Sequence, residues 1–222
     1  GTGVVGLIKG RNPEKHCIAL RADLDALPIH EENDVSYKSK NEGVMHACGH
    51  DVHTSCLLGA AYVLNQLKSD FEGTIKLIFQ PGEERLPGGA SMMIKDGVLE
   101  NPKVDKIIAL HVYPSMDVGK VGFKPGLYMA ACDELYLTII GKGGHAAIPN
   151  AYNNPVMLIS KLLPKLESYL ESLCDLKSPY VLAFGKLEAE GATNVIPELA
   201  KAAGTLRTMN EQWRTIIHNK LK

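Results

Sequence analysis

Apolar and polar positions follow two different patterns along the chain, one before residue 130 and one after it. In the first part, short apolar runs of strand length alternate with stretches in which apolar residues recur at helical spacing. The runs cover residues 4–9, 16–21, 74–80 and 105–112, and the helical stretches cover residues 51–68 and 89–99. This alternation predicts an α/β domain with a mostly parallel sheet. The turn residues Arg11-Asn12-Pro13 predict that the first two runs form a hairpin.

The second part has the pattern of a smaller α+β unit. Alternating residues at 133–141 predict a strand, residues 153–173 a helix, residues 180–188 and 198–208 two more strands, and Asn210 the approximate start of a last helix. A βαββα order of this kind is typical of an antiparallel sheet covered by helices. We therefore expect two domains, residues 1–130 and residues 131–222, with the second inserted after the first. The strand pattern at the start and the uncapped helix at the end indicate an excerpt from a longer protein.

Composition and charge exclude several classes of protein. The 222 residues include 45% hydrophobic and 22% charged residues, which is ordinary for a globular chain. The net charge of −1 gives no electrostatic reason to expect nucleic acid or an anionic membrane as partner. No apolar run reaches the roughly 20 residues that span a bilayer. The five cysteines are odd in number and lack CxxC spacing, which argues against a disulfide framework and predicts a reducing, cytoplasmic location.

Three short polar clusters carry the candidate chemistry. They are His46-Ala47-Cys48-Gly49-His50-Asp51, Gly82-Glu83-Glu84 and Leu110-His111-Val112. A thiolate, imidazoles and a carboxylate suit zinc, manganese, cobalt or nickel better than magnesium or calcium. A second glutamate beside a ligand glutamate supplies a general base. The clusters together predict a metal-dependent hydrolase.

The placement of these residues favours one shared site. Asp23, Glu83, Glu84 and His111 follow the ends of predicted strands, where open α/β sheets bind ligands. Each residue also has a simpler interpretation, because paired glutamates are common in solvated loops and an aspartate can cap a turn. The hydrolase hypothesis therefore depends on the clusters occurring together.

Four longer segments resemble one known family. They are Arg21-Ala22-Asp23-Leu24-Asp25-Ala26-Leu27-Pro28, Met45-His46-Ala47-Cys48-Gly49-His50-Asp51, Phe79-Gln80-Pro81-Gly82-Glu83-Glu84 and Gly143-Gly144-His145-Ala146-Ala147-Ile148-Pro149. They resemble the amidohydrolase branch of the glutamate-carboxypeptidase-like metallopeptidases, in order, from Arg21 to Arg207. That branch includes hippurate hydrolases, N-acyl-amino-acid amidohydrolases, acetyldiaminopimelate deacetylases and auxin-conjugate hydrolases. The resemblance implies a metal-dependent exopeptidase-like catalytic domain with an inserted lid domain, and a longer chain.

The resemblance also implies a metal centre in the first domain. It implies two divalent transition-metal ions (zinc, manganese, cobalt or nickel) held by Cys48, His50, Glu84 and His111, with the Cys48 thiolate bridging them. Glu83 corresponds to the general base that passes a proton from water to the leaving amine. Asp23 corresponds to an aspartate that orients a ligand.

Three further roles fall in the second domain. The resemblance implies that His145 stabilises the oxyanion, often in a partner subunit's site, and that Asn194 and Arg207 hold the substrate carboxylate. It also implies a homodimer formed through the lid, and a last histidine ligand beyond residue 222, which His218 does not match. Arg85-Leu86-Pro87 departs from the glycine-rich stretch of many relatives.

Three functions remain open at this point. The first is hydrolysis of the amide bond of N-acyl or N-aroyl amino acids. The second is a dipeptidase of the same superfamily. The third is a degenerate member that binds metal or an acyl amino acid without turnover.

Overall fold

A computed structural model describes residues 1–173 and 179–221. The chain divides into two compact units, Gly1–Lys120 and Val121–Lys222, and each is described by itself. The division into a catalytic and a lid domain with a boundary at residue 130 stays a prediction. Cys174, one of the five cysteines, lies outside the described residues.

The first unit contains one four-stranded sheet and two helices. Its elements are β1 (Val4–Lys9), β2 (Cys17–Asp23), α1 (His50–Gln66), β3 (Thr74–Gln80), α2 (Gly89–Lys95) and β4 (Lys106–Ala109). The strand order is β1-β3-β2-β4, with β2 parallel to both β3 and β4 and only β1 antiparallel to its neighbour. The predicted mostly parallel sheet is therefore confirmed.

The predicted hairpin between the first two strands is wrong. β1 pairs with β3, and β3 separates it from β2. The chain does turn after β1, but Gly10 and Arg11 donate their N–H groups to the carbonyls of Gly73 and Phe71, at the start of β3. β2 lies inside the sheet, with every residue buried or half-buried, and exchanges its backbone hydrogen bonds with two parallel partners. Turn residues between two strands do not show whether a third strand lies between those strands in the sheet.

Helix α1 covers one face of this sheet. A core of Ile8, Ala22, Leu57 and Leu77 joins the helix to three strands. Alternate residues of β3 point into this core, as their period of two requires. The packing fixes the position of α1, whose first turn carries polar residues of the candidate site.

A lysine is buried on the opposite face of β3. Lys76 is 2% exposed, and its ammonium group donates hydrogen bonds to the carbonyl oxygens of Val98 (2.9 Å), Glu100 (2.8 Å) and Pro102 (2.8 Å). An ammonium group has three donors, so all three are satisfied. Lys76 therefore ties the loop that follows α2 to the central sheet.

The second unit is built on an antiparallel sheet. Its elements are β5 (Ala131–Ile140), β6 (Gly144–His145), α3 (Pro155–Leu173), β7 (Tyr180–Glu188), β8 (Val195–Ile196), β9 (Leu199–Thr208) and α4 (Glu211–Leu221), with a short 3-10 helix at Pro149–Ala151. The main sheet has the order β5-β9-β7, and β6 pairs separately with β8. The predicted antiparallel sheet and βαββα order are confirmed, with the two short strands added. The role of this unit as a lid stays a prediction.

Helices α3 and α4 pack on one face of that sheet. Leu170, Leu206, Trp213 and Ile217 form one core, and Ile159, Ala200 and Ala202 form another. No helix among the described residues is both long enough and apolar enough to cross a membrane.

An ion-pair cluster joins β5 to α4. Arg214 donates to both carboxylate oxygens of Asp133, at 2.7 and 2.6 Å, and His218 Nε2 lies 3.0 Å from Asp133 Oδ2. The Arg214 hydrogen bonds, helped by His218, outweigh the effect of burial and hold the pKa of Asp133 below its ordinary value. The bidentate geometry makes this a stronger contact than most surface pairs.

We expect Lys76→Met to lower the free energy of unfolding by about 1–3 kcal/mol, because it leaves buried carbonyl oxygens without a donor. Urea denaturation measures this effect. Lys9→Met on the exposed side of β1 is the matched control, since Lys9 makes no side-chain hydrogen bond within the described residues. Equal stabilities of the two variants would contradict the interpretation.

We expect Asp133→Asn to lower the free energy of unfolding near neutral pH by about 1 kcal/mol. Because the folded-state pKa is depressed, the contribution of Asp133 is fully present above its unfolded pKa of about 3.9 and is lost as the pH falls through the lower folded value. The stability difference between the wild type and the variant should therefore shrink in acid. Glu188→Gln, which removes an exposed and solvent-screened pair with Lys186, should change stability less than Asp133→Asn does. A difference that persists unchanged in acid would argue against this assignment.

Candidate metal centre

The candidate ligands come from loops at one edge of the first sheet. Strands β2, β3 and β4 run parallel, so their carboxyl ends lie at the same edge. Asp23 ends β2, the Glu83-Glu84 loop follows β3, and His111 follows β4. Cys48 immediately precedes Gly49, which caps α1, and His50 is the first residue of that helix.

The His50 imidazole is held so that one ring nitrogen is left without a partner. The side chain is 1% exposed, and its Nδ1–H donates to the Asp25 carbonyl oxygen at 2.9 Å. Its buried Nε2 has no hydrogen-bond partner among the described residues. Carboxylate oxygens of Glu84 and Glu83 lie 3.8 and 4.0 Å from this nitrogen. A buried acceptor without a donor is costly, and a cation between these groups would satisfy it.

Cys48 and His111 form the other half of the cluster. Cys48 Sγ lies 3.5 Å from His111 Nε2, and His111 Nδ1 lies 2.7 Å from the Val112 carbonyl oxygen. A carbonyl only accepts, so this contact assigns the proton of His111 to Nδ1. The Nε2 lone pair therefore faces the Cys48 sulfur.

The residues present fit a transition-metal centre. Candidate ligand atoms within 4.8 Å of one another occur in two overlapping groups, Cys48-His50-His111 and His50-Glu83-Glu84. Ligands bound at 2.0–2.3 Å in a tetrahedron lie roughly 3.3–3.8 Å apart, which is the spacing of the closest pairs here. Mixed sulfur, nitrogen and oxygen donors suit zinc and its neighbours.

The electrostatics of the site favour a bound cation. Burial, a hydrogen bond to Glu84 and the negative charges of Glu84, Glu83 and Asp23 together raise the pKa of the Cys48 thiol to about 11, with burial the largest cause. The surrounding carboxylates thus oppose a thiolate when no cation is near. Metal binding by such a site is coupled to release of the thiol proton.

A third group, Asp23-His50-His53, also has the spacing of a metal site, but its hydrogen bonds argue against that role. The Asp23 carboxylate accepts hydrogen bonds from His53 (2.6 Å) and Arg21 (2.7 Å), and His53 Nε2 accepts the Val112 N–H at 2.9 Å. Burial alone would raise the pKa of Asp23, but the His53 hydrogen bond and the Arg21 charge hold it below its ordinary value. Asp23 therefore stays an anion that holds its neighbours in place.

Asp25 has a part in the site that the sequence reasoning missed. Its carbonyl holds His50, and its carboxylate accepts the Glu84 N–H at 3.0 Å. Burial alone would raise the pKa of Asp25, but the backbone N–H groups of Glu84 and Glu83 keep it low. One residue thus links two ligand-bearing loops. In the sequence, only the position of Asp25 two residues after Asp23, in the same motif, pointed to a role in the site.

The adjacent glutamates differ in environment. Glu83 is 44% exposed and Glu84 is 25% exposed. No side-chain hydrogen bond to a described residue holds the Glu83 carboxylate, whereas Glu84 interacts with Cys48. Glu83 is consequently the carboxylate with freedom to contact a water or a substrate.

The three predicted residues of the second unit fall in two places. His145 in β6 pairs with Val195 in β8, and the Asn194 carbonyl accepts the Ala146 N–H at 3.0 Å, so His145 and Asn194 are neighbours. Arg207 lies in β9, with an exposed side chain, and pairs with Cys132. No hydrogen bond within the described part of the chain joins Arg207 to the other two.

Most of the chain matches one known family. Residues 19–217 match the family described as Peptidase family M20/M25/M40. The chain belongs to this family. The M20 chain contains the predicted polar clusters and the predicted arrangement of a mostly parallel and an antiparallel sheet.

Curated relatives of this M20 chain include two named hydrolases. An N-acyl-L-amino acid amidohydrolase of Geobacillus stearothermophilus is 40% identical over 216 residues, which cover 97% of this chain and 58% of the relative. A hippurate hydrolase of Campylobacter jejuni is 40% identical over 221 residues, which cover 99% of this chain and 56% of the relative. The chain thus spans somewhat more than half the length of these relatives.

A similar solved structure is that of YXEP from Bacillus subtilis, described as a dinuclear metal-binding peptidase of the M20 family. It is 36% identical, with a TM-score of 0.72, and the match covers 97% of this chain and 54% of the YXEP chain. This M20 chain also contains candidate metal-ligand groups.

We expect Gly49→Ala to impair the candidate site. Gly49 has φ of 80°, and an added Cβ would lie 2.5 Å from Val112 Cγ2, next to His111. The backbone strain costs about 1–3 kcal/mol, and displacement of Val112 should weaken metal binding. Thermal denaturation and metal titration measure the two effects.

Gly59→Ala is the matched control for that substitution. Gly59 lies inside α1 with open space around its Cα, so alanine there should stabilise the helix by about 0.5–1 kcal/mol and leave metal binding unchanged. Metal affinity equal to wild type in Gly49→Ala would show that the Val112 contact is unimportant.

Proposed function

We propose that this chain is the metal-binding part of an amidohydrolase that cleaves N-acyl or N-aroyl amino acids. The observation that carries the proposal is the convergence of Cys48, His50, Glu84 and His111 around an unpartnered imidazole nitrogen, with the free carboxylate of Glu83 beside them. The names of the relatives support the substrate class.

Two divalent transition-metal ions, from among zinc, manganese, cobalt and nickel, are the proposed cofactors. Cys48, His50, Glu84 and His111 would hold them. Such ions lower the pKa of water towards 7 and polarise a carbonyl oxygen. The mixed donor set and the dinuclear metal-binding description of YXEP support this part of the proposal.

Glu83 is the proposed general base. It accepts a proton as the water oxygen bonds to the amide carbonyl carbon, and it returns that proton to nitrogen as the C–N bond breaks. The products are a carboxylic acid and a free amino acid. Asp23 acts only indirectly, since both its carboxylate oxygens are already hydrogen-bonded.

The second unit supplies the proposed polar contacts to the substrate. The Ala147 N–H donates to His145 Nδ1 at 3.1 Å, which supports a proton on His145 Nε2. An Nε2–H in this tautomer can donate to a carbonyl oxygen as negative charge develops. Arg207 is exposed and suited to bind a carboxylate with two hydrogen bonds. Asn194, the neighbour of His145, is the second proposed contact to the substrate carboxylate.

We propose a homodimer formed through the second unit, and a cytoplasmic location. The free thiols of Cys17, Cys48, Cys56 and Cys132 support a reducing compartment. A reducing compartment would also keep the Cys48 thiol available as a ligand.

The function is tested by assaying the full-length protein, reconstituted in turn with manganese, zinc, cobalt and nickel, on acetyl, benzoyl and succinyl amino acids. Release of free amino acid that a chelator abolishes is the expected result. Turnover of dipeptides alone would favour the dipeptidase alternative. Bound metal without turnover on any substrate would favour a non-catalytic binding protein.

We expect Glu83→Gln to reduce kcat by roughly 10²–10⁴-fold, because it removes the proton acceptor. Metal content, measured by elemental analysis, should stay at the wild-type level. Glu14→Gln is the matched control, since Glu14 is exposed before β2, at the other end of that strand. A Glu83→Gln enzyme with wild-type kcat would exclude Glu83 as the base.

A further inference from the structure

His53 is a buried histidine to which none of the proposed roles applies. It lies in the first turn of α1, three residues after His50, and is 1% exposed. Both of its ring nitrogens contact polar groups of other segments. Nδ1 lies 2.6 Å from Asp23 Oδ1 at the end of β2, and Nε2 lies 2.9 Å from the Val112 backbone nitrogen after β4.

These two contacts determine where the His53 proton lies. A backbone N–H can only donate, so His53 Nε2 is the acceptor for Val112. The proton is then on Nδ1 and is donated to Asp23. The Arg21 guanidinium holds the other oxygen of that carboxylate at 2.7 Å, which fixes the orientation of Asp23.

Val112 in turn orients His111 through its other backbone group, the carbonyl. Its carbonyl oxygen accepts the His111 Nδ1–H at 2.7 Å, which turns His111 Nε2 towards Cys48. On the other side of the residue, Val112 Cγ2 lies 2.5 Å from where a Cβ on Gly49 would be. The segment carrying His111 is therefore held at its N–H by His53 and packed against the loop of Cys48.

We propose that His53 is a positioning residue that sets the orientation and tautomer of His111 through the N–H of Val112. The proposal rests on the metal-binding role given to His111 above. Its competitor is a histidine that only fills space in the core. The positioning role requires His53 Nε2 to accept a hydrogen bond. The space-filling role does not depend on which ring nitrogen accepts one.

The first test uses the metal-free wild-type protein. Nitrogen-15 NMR of the imidazole rings, near neutral pH, distinguishes protonated from unprotonated ring nitrogens. We expect both His53 and His111 to carry their proton on Nδ1. A proton on Nε2 of His53 would overturn the proposal without any substitution, and so without any risk of misfolding.

The second test compares His53→Gln with His53→Asn. A glutamine amide oxygen reaches the position of Nε2 and can accept the Val112 N–H, whereas an asparagine amide reaches only the position of Nδ1 and can donate to Asp23. We expect Gln to keep the His111 tautomer and metal affinity close to wild type. We expect Asn to lose the tautomer preference and bind cobalt or zinc roughly 10–100-fold more weakly. His30→Asn, at an exposed histidine of the same unit, is the control.

The outcomes separate this proposal from the function it builds on. Equal affinities for the two His53 variants, or weaker binding by Gln than by Asn, would overturn it. If the wild-type protein bound no metal, the proposed function would fail. The His111 tautomer of the two metal-free variants would still decide the role of His53.

Discussion

The parallel pairing of β2 with its two neighbours decides where the polar loops of the first unit meet. Asp23 lies opposite Gln80, so β2 and β3 end at the same level, and Ala109 at the end of β4 lies opposite Arg21. The loops that carry Glu83, Glu84 and His111 therefore leave the sheet side by side. A one-residue slip of this register would turn Asp23 to the other face, where it could not reach His53. The contacts of the site therefore depend on the backbone hydrogen bonds that fix the register of these three strands.

At that edge, backbone carbonyls orient the two candidate imidazole ligands. The carbonyl of Asp25 takes the Nδ1 proton of His50, and the carbonyl of Val112 takes that of His111. Each ring is left with a bare Nε2 in a setting of carboxylates and one thiol. Imidazole nitrogens without a donor and carboxylates that lie close together raise the free energy of the folded site unless a cation binds between them. The same polar groups that destabilise the site alone would stabilise it with metal, and this would couple its folding to metal binding.

Much of the architecture follows from local pattern. The apolar runs predicted β3, β7 and the helix after His50 to within a few residues, because period and length distinguish strands from helices. The hairpin was wrong because strand pairing is a long-range choice between competing partners. The burial of Lys76 could not be predicted from the sequence, for a related reason. A single lysine in an apolar strand has no local sign of burial, and its three carbonyl partners lie more than 20 residues further along the chain.

The sequence by itself was enough to predict the chemistry of the candidate site. Cys48, His50, Glu83, Glu84 and His111 are recognisable because donor type and spacing within a short motif are local properties. Tertiary structure alone decided how each group is used. Asp23 and Asp25 are two residues apart and chemically identical, yet Asp23 holds a histidine while Asp25 joins the His50 segment to the Glu84 loop. Such roles depend on hydrogen-bond partners that lie 25–59 residues away in the chain. Only the folded sheet brings those partners within reach.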